Sequence, residues 1–224
     1  MRAQTLSGPL LLLLFGSLAS ACPLAARQSA TEVASASDPG PTDSGTTGDG
    51  PKADMVAIIK TVLPTSDSCA GAEFPDECRT AEQAAPYVSK ACADLSDGEC
   101  AATLAVMGYE SADFKYKHNL GNNPGQGTAN MMSPENVLAY ATDLFGADKV
   151  AGKTPNEVLA MVTPDETNFG SAAWHLKTKC PSLRDALKTG TDAAWESYMN
   201  ECIMGDKNPK RLEYWNRAKN AFGL

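Results

Sequence analysis

The sequence predicts a mainly α-helical, disulfide-stabilised domain with one small β-hairpin, and three observations predict it. Helix-start signatures recur along the chain. Thr80/Gln83, Ser96/Glu99, Thr154/Glu157 and Thr163/Glu166 each set a hydroxyl three residues before an acid or amide, which satisfies the first free amides of a helix. One stretch, Asp113 to Leu120, alternates as a strand does. Six cysteines, Cys69, Cys78, Cys92, Cys100, Cys180 and Cys202, fall in the part of the chain that can fold, enough for three disulfides.

The 224 residues are 43% hydrophobic and 21% charged, which suits one globular domain plus a tail. Residues 1–26 read as a secretory signal peptide. Arg2 supplies the charged start, Leu10 to Phe15 the apolar run, and small residues follow. Cleavage is expected after Ala21 or after Ala26, and the second option removes Cys22 and leaves the even six. A lipid-anchored Cys22 is disfavoured, because Ala19-Ser20-Ala21 lacks the usual leucine. The apolar run is too short for stable membrane insertion, so the product is expected to be secreted and extracellular.

Residues 27–52 are rich in Ser, Thr, Gly and Pro and cannot bury a core, so they read as a disordered linker. The domain is expected over 53–224. A net charge of −8 with no basic stripe argues against nucleic acid as a partner. No cofactor is expected, and the chain is read as a monomer.

In chain order, Met55, Ile58, Ile59 and Val62 recur at helical spacing until Pro64 stops them. Thr80 to Gln83 opens a helix toward Cys92, with Pro86 near its first turns. Ser96 caps a helix from Asp97 to Glu110. Asp113 to Leu120 is the outgoing strand, Gly121 to Gly125 the turn, and Thr128 to Met132 the return strand. Ser133-Pro134 starts a helix with Val137, Leu138, Tyr140, Ala141, Leu144 and Phe145 on its buried face and Glu135 in its capped first turn. Thr154-Pro155 and Thr163-Pro164 start two more. Ala193 to Cys202 marks another, and Asn208-Pro209 opens the last, with Leu212, Trp215 and Phe222 inward and Arg211, Arg217 and Lys219 toward solvent. Disulfides are expected within the group Cys69 to Cys100 and between Cys180 and Cys202. A zinc site is the disfavoured alternative, since the spacings are wide and both histidines lie elsewhere.

Glu110 is the first candidate catalytic residue. It closes a helix at the negative pole of the dipole, where the ionised form is disfavoured, and Tyr109 with Met131-Met132 is expected to bury it further. A carboxyl kept protonated suits general-acid cleavage of a glycosidic bond. His118 is read as an exposed loop histidine, His175 as a core one, and the three tryptophans as core.

The order of motifs resembles the lysozyme-like superfamily, most closely the family 19 chitinases. Tyr109-Glu110-Ser111 stands where that family ends a helix in its catalytic glutamate. Gly125-Gln126-Gly127-Thr128-Ala129-Asn130-Met131-Met132-Ser133 resembles its following Gly-rich segment, and Asn168 to His175, Cys202 to Gly205, Arg211 to Tyr214 and Phe222-Gly223 resemble its later ones.

The resemblance implies a lysozyme-like helical domain and a secreted glycoside hydrolase acting on β-1,4-linked amino-sugar polymers. Chitin or chitosan is favoured over peptidoglycan as the polysaccharide partner. Glu110 would be the acid. Asp113, or a water held by Thr128 and Asn130, would complete the displacement, with Tyr109, Ser111, Tyr116, Gln126, Thr128 and Asn130 as substrate contacts. An inverting pair needs carboxylates about 6.5–9.5 Å apart, and Asp113 lies only three positions beyond Glu110. The alternative is a non-catalytic glycan-binding or host-interaction protein on the same scaffold.

Overall fold

The computed structural model describes residues 54–206 and 208–224. The expected signal peptide, the linker and the first residue of the domain lie outside the described residues. Among the described residues ten α-helices follow one another: α1 (Met55–Val62), α2 (Ala81–Cys92), α3 (Asp97–Glu110), α4 (Pro134–Phe145), α5 (Ala147–Val150), α6 (Pro155–Val162), α7 (Asp165–Lys179), α8 (Arg184–Leu187), α9 (Asp192–Tyr198) and α10 (Pro209–Phe222). A 3-10 turn at Pro181–Leu183 and a wide π turn at Met199–Ile203 join them. No helix among the described residues is long and apolar enough to cross a membrane.

Helix α3 is the axle, buried from Gly98 to Gly108 and packed against α10, α7 and α1. Its buried residues are small or apolar except Glu99, paired with Arg184, and Thr103, whose hydroxyl donates within the helix. Two glycines set its neighbours' distances. A Cβ on Gly98 would lie 2.1 Å from the Leu187 carbonyl oxygen, and one on Gly108 would lie 2.9 Å from the Leu63 and Tyr214 side chains. Reciprocal caps at Thr80/Gln83, Ser96/Glu99 and Thr154/Glu157 start α2, α3 and α6 as the sequence requires, and Glu135 sits in the first turn of α4.

The main core joins α1, α2, α3, α7, α9 and α10, with Trp195 and Trp215 stacked at 5.1 Å. A separate, smaller core lies under α4 and α6, built from Met132, Val137, Tyr140, Ala141, Val150, Val158, Leu159 and Val162. Disulfides Cys69–Cys78, Cys92–Cys100 and Cys180–Cys202 close short loops within the helical frame.

Four expectations need correction. Thr163 and Glu166 form no reciprocal cap: Pro164 is the N-cap of α7 with no side-chain cap bond, the Thr163 hydroxyl donates to the Ala160 carbonyl, and Glu166 pairs with Lys90. The β-hairpin is absent: residues 113–132 contain only the isolated bridges His118–Gly127 and Gly127–Met132. Left-handed backbone at Gly125, Thr128 and Met131 folds the return segment into tight turns, closed by the Met131 amide on the Thr128 carbonyl, so no second strand can run. Ala112, Asp113 and Phe114 form an unbroken left-handed run before it, which also ends the alternation.

On α4, Leu138, Leu144 and Phe145 are exposed, because only Val137, Tyr140 and Ala141 reach the small core. On α10, Arg211 is buried and Leu212 exposed. Arg211 is drawn inward by Glu110 and Asp206.

Candidate functional site

Helix α3 delivers Glu110 to its own end, where the chain turns sharply. Burial pushes the Glu110 carboxyl up from its ordinary value, and Arg211 opposes that rise while Asp206 adds to it. Arg211 Nη1 lies 2.7 Å from Glu110 Oε1, a charge contact without hydrogen-bond alignment, and its Nε donates to Asp206 at 2.6 Å. The same guanidinium lies 3.9 Å from the centre of the Tyr109 ring, which meets Tyr214 edge-on. Glu110 and Tyr109 are therefore held by an arginine from the far end of the chain.

Asp113 points elsewhere. It is 4% exposed and accepts from the Thr65 amide (3.0 Å), the Thr65 hydroxyl (2.8 Å) and the Tyr214 hydroxyl (2.6 Å). Burial and the Asp113 carboxylate push the Tyr214 phenol well above its usual value. The carboxylate clamps the α1–α2 connection to α10.

The remaining predicted contacts divide. Ser111 is fully buried, donating to the Met107 carbonyl and accepting from the Phe114 amide. The Thr128 hydroxyl donates to Asn130 Oδ1, which also accepts from Ser171, so both residues tie the loop to α7. Gln126 and Tyr116 do share a hollow of about 340 Å³ with Glu110, His118 and Met131. Even there, Gln126 Oε1 accepts from Asn119 and Asn123, and the Tyr116 hydroxyl is 3.4 Å from Glu73.

A larger concavity is next to this one. A hollow of about 680 Å³ opens between residues 117–124, α6 and the Asp76–Glu77 turn, and Leu120, Pro124, Leu159 and Ala160 alternate there with His118, Asn123 and Asn156. His118 and Asn119 line both hollows. Glu77 fixes the position of His118: one carboxylate oxygen accepts the Lys117 amide at 3.0 Å and lies 2.8 Å from His118 Nδ1.

Behind it, Asp165 at the start of α7 takes Arg79 Nε on both oxygens (2.9 and 2.8 Å) and Lys117 Nζ at 2.8 Å. Burial pushes the Asp165 carboxyl up, but the two cations more than reverse this and hold it below its ordinary value. Asn156 accepts the Gly125 amide at 2.8 Å and pins the hollow's far wall. No sequence signature assigns a role to Glu77, Arg79, Asn156 or Asp165. Their partners lie in other elements, and no local spacing signals them.

No family model matches the chain, and no solved structure matches it. A bifunctional dioxygenase–epoxy alcohol synthase of Fusarium oxysporum (strain Fo5176) is 43% identical over 157 residues, which cover 63% of this chain and 12% of that protein. The chain thus spans about an eighth of the length of that relative.

This finding overturns the resemblance to family 19 chitinases and the lysozyme-like superfamily, and with it the secreted glycoside hydrolase acting on amino-sugar polymers. The non-catalytic glycan-binding alternative falls too, having rested on the same scaffold. The geometry agrees. Glu110 faces an arginine, Asp113 is spent in a structural clamp, and Thr128 and Asn130 bond to each other and to Ser171.

A dioxygenase must activate molecular oxygen, which calls for a redox-active metal or an organic cofactor. The donor set of the described residues does not fit a metal of that kind. Among the described residues no third His, Cys, Asp or Glu donor gathers with His118 and Glu77. The grouping of His175, Cys180 and Cys202 contains two cysteines joined to each other, which offer no thiolate while so joined.

Proposed function

We propose that the chain is a ligand-binding module of an oxygenation system, and that the hollow beside His118 receives a neutral ligand of the epoxy-alcohol class. The observation that carries this reading is the 43% identity to a segment making up 12% of a dioxygenase–epoxy alcohol synthase. A match to so small a share of that protein supports a part that serves the chemistry rather than performs it.

The hollow supports the same reading. Its volume lies in the range of small-molecule sites, roughly 300–1,000 Å³. Apolar walls at Leu120, Pro124 and Leu159 suit a hydrocarbon skeleton, while His118, Asn119 and Asn123 offer hydrogen bonds to an epoxide and a hydroxyl oxygen. The rim carries Asp76 and Glu77, and the cation of Lys117 is taken by Asp165. A neutral ligand therefore suits the site better than an anion. Three disulfides also suit an oxidising compartment, consistent with secretion.

Calorimetric titration with an aliphatic epoxy alcohol tests the reading, with the parent hydrocarbon as comparison. Wild type is expected to bind the epoxy alcohol, and His118→Ala and Ala160→Trp each to weaken binding at least tenfold. Ala160 is exposed and lines the hollow, so tryptophan there fills the space without emptying a core. No binding by wild type, or full binding by both variants, refutes it.

A further inference from the structure

His175 is buried on α7 and is poorly satisfied for a buried polar group. Its Nε2 lies 3.4 Å from the Asn136 side-chain amide nitrogen, and the partner of its Nδ1 is a sulfur, Cys202 Sγ at 3.7 Å. Cys202 is joined to Cys180, which directly follows α7. All three ligand atoms lie within 4.8 Å of one another, in surroundings that leave each residue less than a tenth exposed.

We propose that Cys180, Cys202 and His175 form a redox-gated zinc site: a disulfide when oxidised, and a Cys2His site for Zn²⁺ when reduced. A tetrahedral zinc with Zn–S about 2.3 Å and Zn–N about 2.0–2.1 Å places sulfur about 3.6 Å from nitrogen and the two sulfurs about 3.8 Å apart. The observed separation of Nδ1 from Cys202 Sγ already matches the first distance. Breaking the S–S bond lets the sulfurs part to the second, and the Cα atoms stand only 5.8 Å apart.

A second observation agrees. A histidine that binds through Nδ1 must donate its Nε2 proton, and turning the Asn136 amide end for end presents Oδ1 to receive it. Thiolate and imidazole donors in a tetrahedral setting select zinc over hard cations.

The chemistry balances. A phosphine reductant, becoming a phosphine oxide with oxygen from water, delivers two electrons and two protons to the S–S bond and leaves two thiols. Zn²⁺ then releases the two thiol protons to solvent, forms two Zn–S bonds and one Zn–N bond, and keeps a water as its fourth ligand. The zinc clasp joins the same two points as the disulfide, the end of α7 and the Met199–Ile203 turn. The staple would then survive a reducing environment.

The test reduces the full chain with phosphine and titrates Zn²⁺ against a chromophoric chelator, with Co²⁺ as a spectroscopic probe of thiolate ligation. Wild type is expected to bind one Zn²⁺ per chain and to show thiolate-to-cobalt absorption. Joint Cys180→Ser and Cys202→Ser substitution, which retains the other four cysteines, should abolish both. His175→Ala should weaken zinc at least tenfold, and so should Asn136→Ala, the milder variant that keeps the test decisive if His175→Ala does not fold. Loss of helical circular dichroism on reduction that zinc restores also supports the site. Zinc uptake unchanged in the double serine variant or in Asn136→Ala, no uptake by wild type, or unfolding that zinc does not reverse overturns it.

Discussion

Replacing Asp113 by alanine should destabilise the protein by about 3 kcal/mol. The carboxylate is 4% exposed and receives three hydrogen bonds, two from Thr65 and one from Tyr214. A hydrogen bond to a charged group is worth ~1.5–3 kcal/mol, but the values do not add within one network. Thr65 is exposed, so its two donors turn to water once the acceptor is gone. Most of the loss therefore falls on the half-buried Tyr214 hydroxyl and on the connection it makes between α10 and the segment that follows α3.

Asp113→Asn keeps one acceptor and should lose less, about 1–2 kcal/mol. In a double-mutant cycle with Tyr214→Phe, the coupling should be about 1.5 kcal/mol. Urea unfolding followed by tryptophan fluorescence reads this directly, because Trp195 and Trp215 stack inside the main core. With a slope of about 2 kcal/mol/M, the midpoint of Asp113→Ala should fall by ~1.5 M. A midpoint within about 0.2 M of wild type, or no coupling to Tyr214, would refute the clamp.

Two further outcomes follow from the packing and the charges. Gly98→Ala puts a methyl carbon 2.1 Å from the Leu187 carbonyl oxygen, so α3 and α8 must separate. The loss should reach ~2–3 kcal/mol by the same unfolding assay, at the upper end of overpacking penalties. Acid should also destabilise the fold. At Glu99 burial raises the carboxyl, but the Ser96 amide and Arg184 together bring it below its ordinary value, and Asp165 is lowered as well. Their stabilisation is complete above the unfolded values near 4 and is lost as pH falls through the still lower folded ones. Urea midpoints at a series of pH values should decline below about pH 4. Glu99→Gln should make that decline shallower, and an equally steep decline in the variant would contradict the account.

Capping was legible because it is local. The Ser96/Glu99 pair closes on itself within one turn, so spacing alone located the start of α3. The disulfide grouping was legible for a similar reason, since two bridges close within the first four cysteines. Alternation from Asp113 to Leu120 misled, because a hairpin needs a partner strand and the left-handed turns at Thr128 and Met131 remove it. The order of motifs around Glu110 was equally uninformative about chemistry. Its decisive neighbour, Arg211, comes from α10 and looked like a solvent-facing residue of an amphipathic helix. The hollow beside His118 is assembled from α6, residues 117–124 and the Asp76–Glu77 turn, segments with no shared signature.

The division into two cores predicts two levels of rigidity. Leu159 and its neighbours on α6 belong to the smaller core, whereas the opposite wall at Glu77 and Lys117 is braced through Asp165 on α7. Sub-global opening follows the weaker cooperative unit. The amides of α4 and α6 are therefore expected to exchange with solvent faster than those of α3 and the tryptophan-bearing helices.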